Sequence, residues 1–186
     1  MKYLSLLFLL TLTTSSLSAQ SRIVTETSRA ADQIKTDYPF DIDLKDANGT
    51  VINSSKLFQK DNKPTVLLFW LTTCGPCRQE LTAISQKFEG WKKEADFNFF
   101  AISTDFSDRA DQFYARVKES NWPFPAYYDF NREFKLVMPG ELNGLPQVFV
   151  LGDDGKILYH TRKYIPGDED RLLEAIQQPK NRQDRE

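Results

Sequence analysis

Cys74 and Cys77, spaced by Gly75 and Pro76, are the only cysteines in the chain. Thiol–disulfide exchange needs an attacking thiolate and a second thiol close enough to resolve the mixed disulfide, and this spacing provides both. A structural zinc site normally needs four ligands. The chain offers two cysteines and one histidine, His160, and its carboxylates form no compact ligand cluster in the sequence. Covalent haem attachment needs a histidine directly after the second cysteine, where Arg78 stands. An inert cross-link would do little for stability, because so short a loop removes little entropy from the unfolded chain. Exchange is the leading reading, with an inert disulfide and a metal clip as rivals.

The elements around the pair must hold it at the start of a helix. Thr65 to Leu71 is an apolar, β-branched and aromatic run that suits a central strand covered on both faces. Beyond the pair, Leu81, Ile84, Phe88 and Trp91 recur at helical spacing, and Pro76 fits the first turn, where its missing N–H is not needed. A helix start presents unpaired N–H groups and positive potential, which favour a thiolate. Cys74 at the exposed end is therefore the expected nucleophile, Cys77 the resolving thiol, and Gly75 and Pro76 the spacer. Glu80, three residues past Cys77, is open to two readings: a group that tunes proton transfer, or a solvated helix carboxylate. Close to the pair, its charge would oppose thiolate formation. Leu145-Pro146-Gln147 precedes another apolar strand, where proline need not donate to the ladder. Pro39, Pro64 and Pro125 stand before strands in the same way and read as loop terminators. His160 reads as an ordinary, partly exposed strand residue.

Further elements complete the pattern. A hairpin is expected from Tyr38 to Ile52, turning at Asp46-Ala47-Asn48-Gly49, followed by a short helical turn at Ser54 to Leu57. A strand covers Phe97 to Ile102. An amphipathic helix covers Asp108 to Ser120, with Phe113, Val117 and Tyr114 inward. A short extended piece (Phe124 to Tyr128) and a short helix (Arg132 to Met138) follow. The strand Gln147 to Leu151 turns at Asp153-Asp154-Gly155 into Ile157 to His160, and a last helix covers Asp168 to Gln178. This order predicts an α/β fold, a mixed sheet with helices on both faces. It occupies one domain, residues 37–178, after a polar lead-in at 20–36. The charged tail, 179–186, is expected to be mobile.

With 186 residues there is room for one sizeable core. A formal net charge of −2 argues against a nucleic-acid partner. The chain opens with Lys2 and the apolar run Leu4 to Leu12, interrupted only by Ser5 and Thr11. The run is short for a membrane span and suits a secretory signal peptide, residues 1–19, cleaved after Ala19 or alternatively after Ser18. No cysteine lies near that point to carry a lipid, so the exported form is expected to be soluble.

Taken together, Phe69-Trp70-Leu71-Thr72-Thr73-Cys74-Gly75-Pro76-Cys77-Arg78-Gln79-Glu80 and Gly144-Leu145-Pro146-Gln147-Val148-Phe149-Val150 resemble the thioredoxin superfamily, in its exported TlpA- and ResA-like branch. The resemblance spans residues 38–177. It implies a thioredoxin-like fold, a central mixed sheet flanked by helices, with Asp108 to Ser120 and Pro125 to Tyr128 as a central insertion. It also implies a cis Pro146 facing the cysteines, a client segment held by Thr73, Leu145 and Gln147, and Glu80 close to the site. The implied activity is that of a monomeric thiol–disulfide oxidoreductase, without cofactor or metal. It would reduce exported proteins in the bacterial periplasm, drawing electrons from a membrane-associated or soluble dithiol donor. In some members the reduction serves cytochrome c assembly. A disulfide oxidase or isomerase, a redox-inert chaperone and a metal-delivery module are the alternatives on the same fold. Four positions depart from the family pattern: Thr73 replaces a tryptophan, Leu68 a buried aspartate, Thr82 a proline and Gln147 a threonine.

Overall fold

The computed structural model describes residues 33–183. The expected signal peptide, and the lead-in up to residue 32, lie outside the described residues. A seven-stranded mixed sheet runs in the order β2-β1-β5-β4-β3-β6-β7. Its strands are β1 (Asp43–Lys45), β2 (Val51–Asn53), β3 (Thr65–Trp70), β4 (Asn98–Ser103), β5 (Ala126–Tyr128), β6 (Gln147–Leu151) and β7 (Ile157–Arg162). Strands β3, β4 and β5 are parallel, and the remaining pairs are antiparallel. The helices among the described residues are α1 (Ser54–Leu57), α2 (Gly75–Glu94), α3 (Ala110–Ser120), α4 (Phe134–Val137) and α5 (Asp168–Gln183). Short 3-10 turns lie at Ser107–Arg109 and Pro139–Leu142.

The period of two along β3 assigns its side chains to two separate cores. Val66, Leu68 and Trp70 face one cluster with Leu81, Ile84 and Phe88 of α2, Phe113 of α3 and Leu172 and Ile176 of α5. Leu67 and Phe69 face the other, with Phe40, Phe58, Phe134 and Met138. The second cluster is largely aromatic: Phe58 meets Phe40, Phe100 and Phe134 with ring centroids 5.7, 4.9 and 6.2 Å apart.

The expectation of helices on both faces needs refinement. The three long helices all cover the first face, and the second is closed by the chain around Tyr38 and Phe40, by α1 and by α4. Handedness explains this. β3, β4 and β5 are laid down side by side in one direction, and right-handed crossovers in one direction place α2 and α3 on the same side.

Other boundaries moved for local reasons. The last residues of the lead-in belong to the domain: Ile34 packs on the second cluster, and the Lys35 N–H donates to the Val137 carbonyl at 2.8 Å. The helix expected from Arg132 begins only at Phe134, because Arg132 sits at φ 58° while the Asp129 carboxylate accepts from the Glu133 and Phe134 N–H groups, both at 2.9 Å. Helix α5 runs to Gln183, past the expected end at Gln178 and through Pro179. The apolar rhythm that marks its buried face stops at Ile176, so the periodic signal fades before the helix does. Of the tail read as mobile, 179–183 is thus helical, and 184–186 lies outside the described residues. The Tyr38–Pro39 peptide is cis, where Pro39 had read only as a loop terminator.

Candidate functional site

Strand β3 delivers the chain to the cysteines through Leu71, Thr72 and Thr73. The turn is tight: the Cys74 N–H donates to the Leu71 carbonyl at 3.1 Å, and the Arg78 N–H to the Cys74 carbonyl at 3.2 Å. Cys74 is the N-cap of α2, and its Sγ accepts from the Cys77 N–H at 3.2 Å. A sulfur in this position takes up an otherwise orphan helix donor, and negative charge on it is favoured by the helix start. The two sulfurs are bonded at 2.04 Å, with Cα atoms 5.2 Å apart. Cys77 is fully buried and Cys74 half-buried, so only the first sulfur is accessible at the mouth. Thr73 and Pro76 are exposed beside it, and Gly75 is half-buried.

The approach to Cys74 is held by a residue the sequence had not marked. Asp105, fully buried just past the end of β4, accepts from the Thr72 N–H at 2.8 Å and from the Thr72 hydroxyl at 2.9 Å. It also accepts from the Ser103 hydroxyl at 2.6 Å. From the other side, Arg78 Nη1 donates to the Thr72 carbonyl at 2.9 Å. The available signal was positional: the carboxyl ends of adjacent parallel strands form the crevice where α/β sheets place their sites.

Pro146 enters from the neighbouring strand. Gln147 of β6 pairs with Phe69 of β3, which puts the Leu145–Pro146 peptide at the same end of the sheet as the cysteines. That peptide is cis. Pro146 is buried, and its carbonyl accepts from the Lys163 N–H at 2.8 Å. Leu145 is half-buried and packs on the cluster that Cys74 also touches. Gln147 is different. Only 2% exposed, it donates from Nε2 to the Asn143 carbonyl at 3.0 Å, and its Oε1 lies 3.0 Å from His160 Nε2. Its amide thus braces the loop instead of lining an open groove. The His160 ring stacks on Phe149 with centroids 4.1 Å apart.

Glu80 is not a solvated helix carboxylate. It is 2% exposed, and its Oε2 has no hydrogen-bond partner among the described residues. Burial pushes this carboxyl up to about 8, and the nearby Asp168 and Glu169 push it the same way. A group poised there can hold or release a proton near neutrality. Burial likewise raises Asp129 to about 6, against the opposing pull of the N–H groups it accepts from.

Both groups bind protons more tightly folded than unfolded, so their contribution to stability is complete below their unfolded values and is lost as pH rises through their folded ones. Thermal melts of the oxidised protein are therefore expected to fall between pH 5 and pH 9 by about 5–10 °C, on the order of a few kcal/mol. Glu80→Gln should flatten the upper part of that fall. A melting temperature constant over this range would show that Glu80 is solvated after all.

Among the described residues, no group of three or more His, Cys, Asp or Glu side chains is placed to hold a metal, and no helix is long and apolar enough to cross a membrane.

Comparison with known proteins agrees with this geometry. The chain is 28% identical over 119 residues to the thiol-disulfide oxidoreductase ResA of Oceanobacillus iheyensis, a match that takes in 63% of this chain and 59% of that protein. A thioredoxin-like protein from Porphyromonas gingivalis superimposes with a TM-score of 0.62 at 27% identity, covering 75% of this chain and 90% of the other. A secreted Mycobacterium tuberculosis disulfide oxidoreductase gives 0.56 at 20% identity, over 73% of this chain and 94% of the other, a likeness of fold alone. The fold is thioredoxin-like, and because residues 34–160 match the model of the AhpC/TSA family, the chain belongs to that family.

Proposed function

We propose that this chain is an exported thiol–disulfide oxidoreductase that reduces protein disulfides through Cys74 and Cys77. The observation that carries the reading is the unequal burial of two bonded sulfurs at the head of α2, one at the mouth and one sealed behind it. In the reduced protein, the Cys74 thiolate attacks a client disulfide. A new S–S bond forms to one client sulfur, and the other leaves as a thiolate and takes a proton. Cys77 then gives up its proton and attacks Cys74 Sγ, which closes the internal disulfide and releases the second client thiol. Two electrons pass to the client, and a separate dithiol donor, membrane-associated or soluble, returns two electrons and two protons. The Cys77 N–H and the helix start favour charge on Cys74. Glu80 is the buried group able to take the Cys77 proton and later return it. Thr73, Leu145 and Pro146 form the rim that meets an extended client segment. Gln147 supports that rim from behind.

Export rests on the Lys2 and Leu4 to Leu12 signal pattern, with residues 1–19 removed on the way to a periplasm-like compartment, where cytochrome c assembly is one use for the reducing power. The direction of electron flow is tested by equilibrating the pair with glutathione and counting alkylated thiols. A reductant is expected nearer to about −270 mV than to the roughly −120 mV of strong oxidants. A value at the oxidising end would overturn the direction, while loss of exchange altogether would remove the enzyme reading.

A further inference from the structure

Strand β7 lies at the edge of the sheet, and its last residues hold the loop 143–146 that carries Leu145 and Pro146. Just past the strand, the Lys163 N–H donates to the Pro146 carbonyl at 2.8 Å. Arg162 reaches the Asn143 carbonyl with Nη1 at 3.4 Å, and its stem covers Gly144, where a Cβ would meet Arg162 Cδ at 3.5 Å. His160, which the sequence marked only as an ordinary strand residue, acts at one remove, through Gln147.

In the register of β6 and β7, His160 stands opposite Phe149 and Arg162 opposite Gln147. Residues two apart on a strand share a face, so Gln147 and Phe149 lie side by side under the His160 ring. That ring is nearly parallel to Phe149, with 8° between the planes. The stack fixes the imidazole and leaves its Nε2 3.0 Å from Gln147 Oε1. The other end of the amide decides the protons. A carbonyl only accepts, so Asn143 requires Gln147 to turn Nε2 toward it, and the two lie 3.0 Å apart. Oε1 then faces the histidine and needs a donor. The neutral His160 ring must therefore carry its proton on Nε2. Gln147 is buried, so losing that donor would strand Oε1. The amide would turn to find water and let go of Asn143. Arg162 would still hold that carbonyl, so the loop would loosen without coming away.

We propose that His160 is a positioning residue for client recognition: its Nε2–H locks the Gln147 amide onto the Asn143 carbonyl and so fixes the Leu145–Pro146 rim from the edge strand. The inference rests on the reading that this rim meets an extended client segment. It adds that the fit of the rim is set from β7, by a side chain that touches neither cysteine nor client.

The test begins with nitrogen-15 NMR of the imidazole in the oxidised full-length protein, where the chain's single histidine gives an unambiguous signal. The Nε2–H tautomer is expected, and an Nδ1–H tautomer overturns the proposal. His160→Phe keeps a ring against Phe149 and removes the donor, and His160→Gln returns a side-chain N–H. In His160→Phe, amide exchange at Asn143 and Lys163 should quicken by about three- to tenfold. KM for a protein disulfide client should rise by a similar factor, with kcat changed less than about twofold. His160→Gln should recover most of both effects, and Leu158→Ala, on the same face of β7, should show neither. Thermal melts confirm that the variants are folded, and the tautomer is read on the parent protein whatever they do. Unchanged amide exchange in His160→Phe overturns the brace. A loosened loop with an unchanged KM overturns the role in recognition. A parent protein that reduces no client sinks the oxidoreductase reading instead, and is told apart because the tautomer and the amide exchange are measured without turnover.

Discussion

Cys77→Ser should turn the protein into a trap that accumulates mixed disulfides with its clients through Cys74. The first attack depends on Cys74, which is the accessible sulfur, and remains possible. The second step needs a thiol within bonding reach of Cys74, and a serine hydroxyl cannot displace sulfur at neutral pH. Turnover in a disulfide-reduction assay should fall by at least about 1,000-fold, and mass spectrometry should find adducts on Cys74 alone. Cys74→Ser should lose turnover to a similar degree without accumulating adducts, because Cys77 is fully buried and does not meet a client. Equal trapping through Cys77 would mean that the two roles had been assigned the wrong way round.

The second large effect is expected at Asp105. Asp105→Ala leaves the buried Thr72 N–H and the Ser103 hydroxyl without their acceptor, and the Thr72 hydroxyl with only Gln112 Oε1 at 3.5 Å. Each of the two orphaned groups costs about 1–3 kcal/mol, so a total of about 2–6 kcal/mol is expected, a fall of roughly 5–20 °C in melting temperature. Asp105→Asn keeps one acceptor oxygen but turns an amide toward a donor, and should fall between the two. Because Thr72 stands two residues before Cys74, the folded fraction of Asp105→Ala should also exchange disulfides more slowly. A melting temperature within a degree of the parent protein would show that these bonds do not hold the approach loop.

What the sequence made legible follows from the reach of each signal. β3 and α2 announce themselves through local patterns: an unbroken apolar run, then Leu81, Ile84, Phe88 and Trp91 at helical spacing. The cysteine pair falls between them, so its position at a helix start was readable. The burial of Glu80 was not readable from spacing. It depends on how elements distant in sequence pack over α2, and no local pattern reveals which face of that helix they cover. Asp105 was hidden for the same reason, since its partner Thr72 is 33 residues away. The grouping of the long helices on one face needed the strand order as well as the handedness rule, and β5 between β4 and β1 is set by pairing that periodicity does not encode.

That one-sided layering has a consequence for how the molecule comes apart. One face of the sheet is sealed by helices of 20, 11 and 16 residues and the other by helical pieces of four residues and by chain without regular structure. Short pieces have few internal bonds to lose, so amide exchange and proteolytic nicking should begin around Phe40, Phe58 and Phe134 while the opposite side stays closed. The cysteines belong to the slow side. A partly opened molecule should therefore keep its disulfide shielded, which separates the wear of the scaffold from the chemistry it carries.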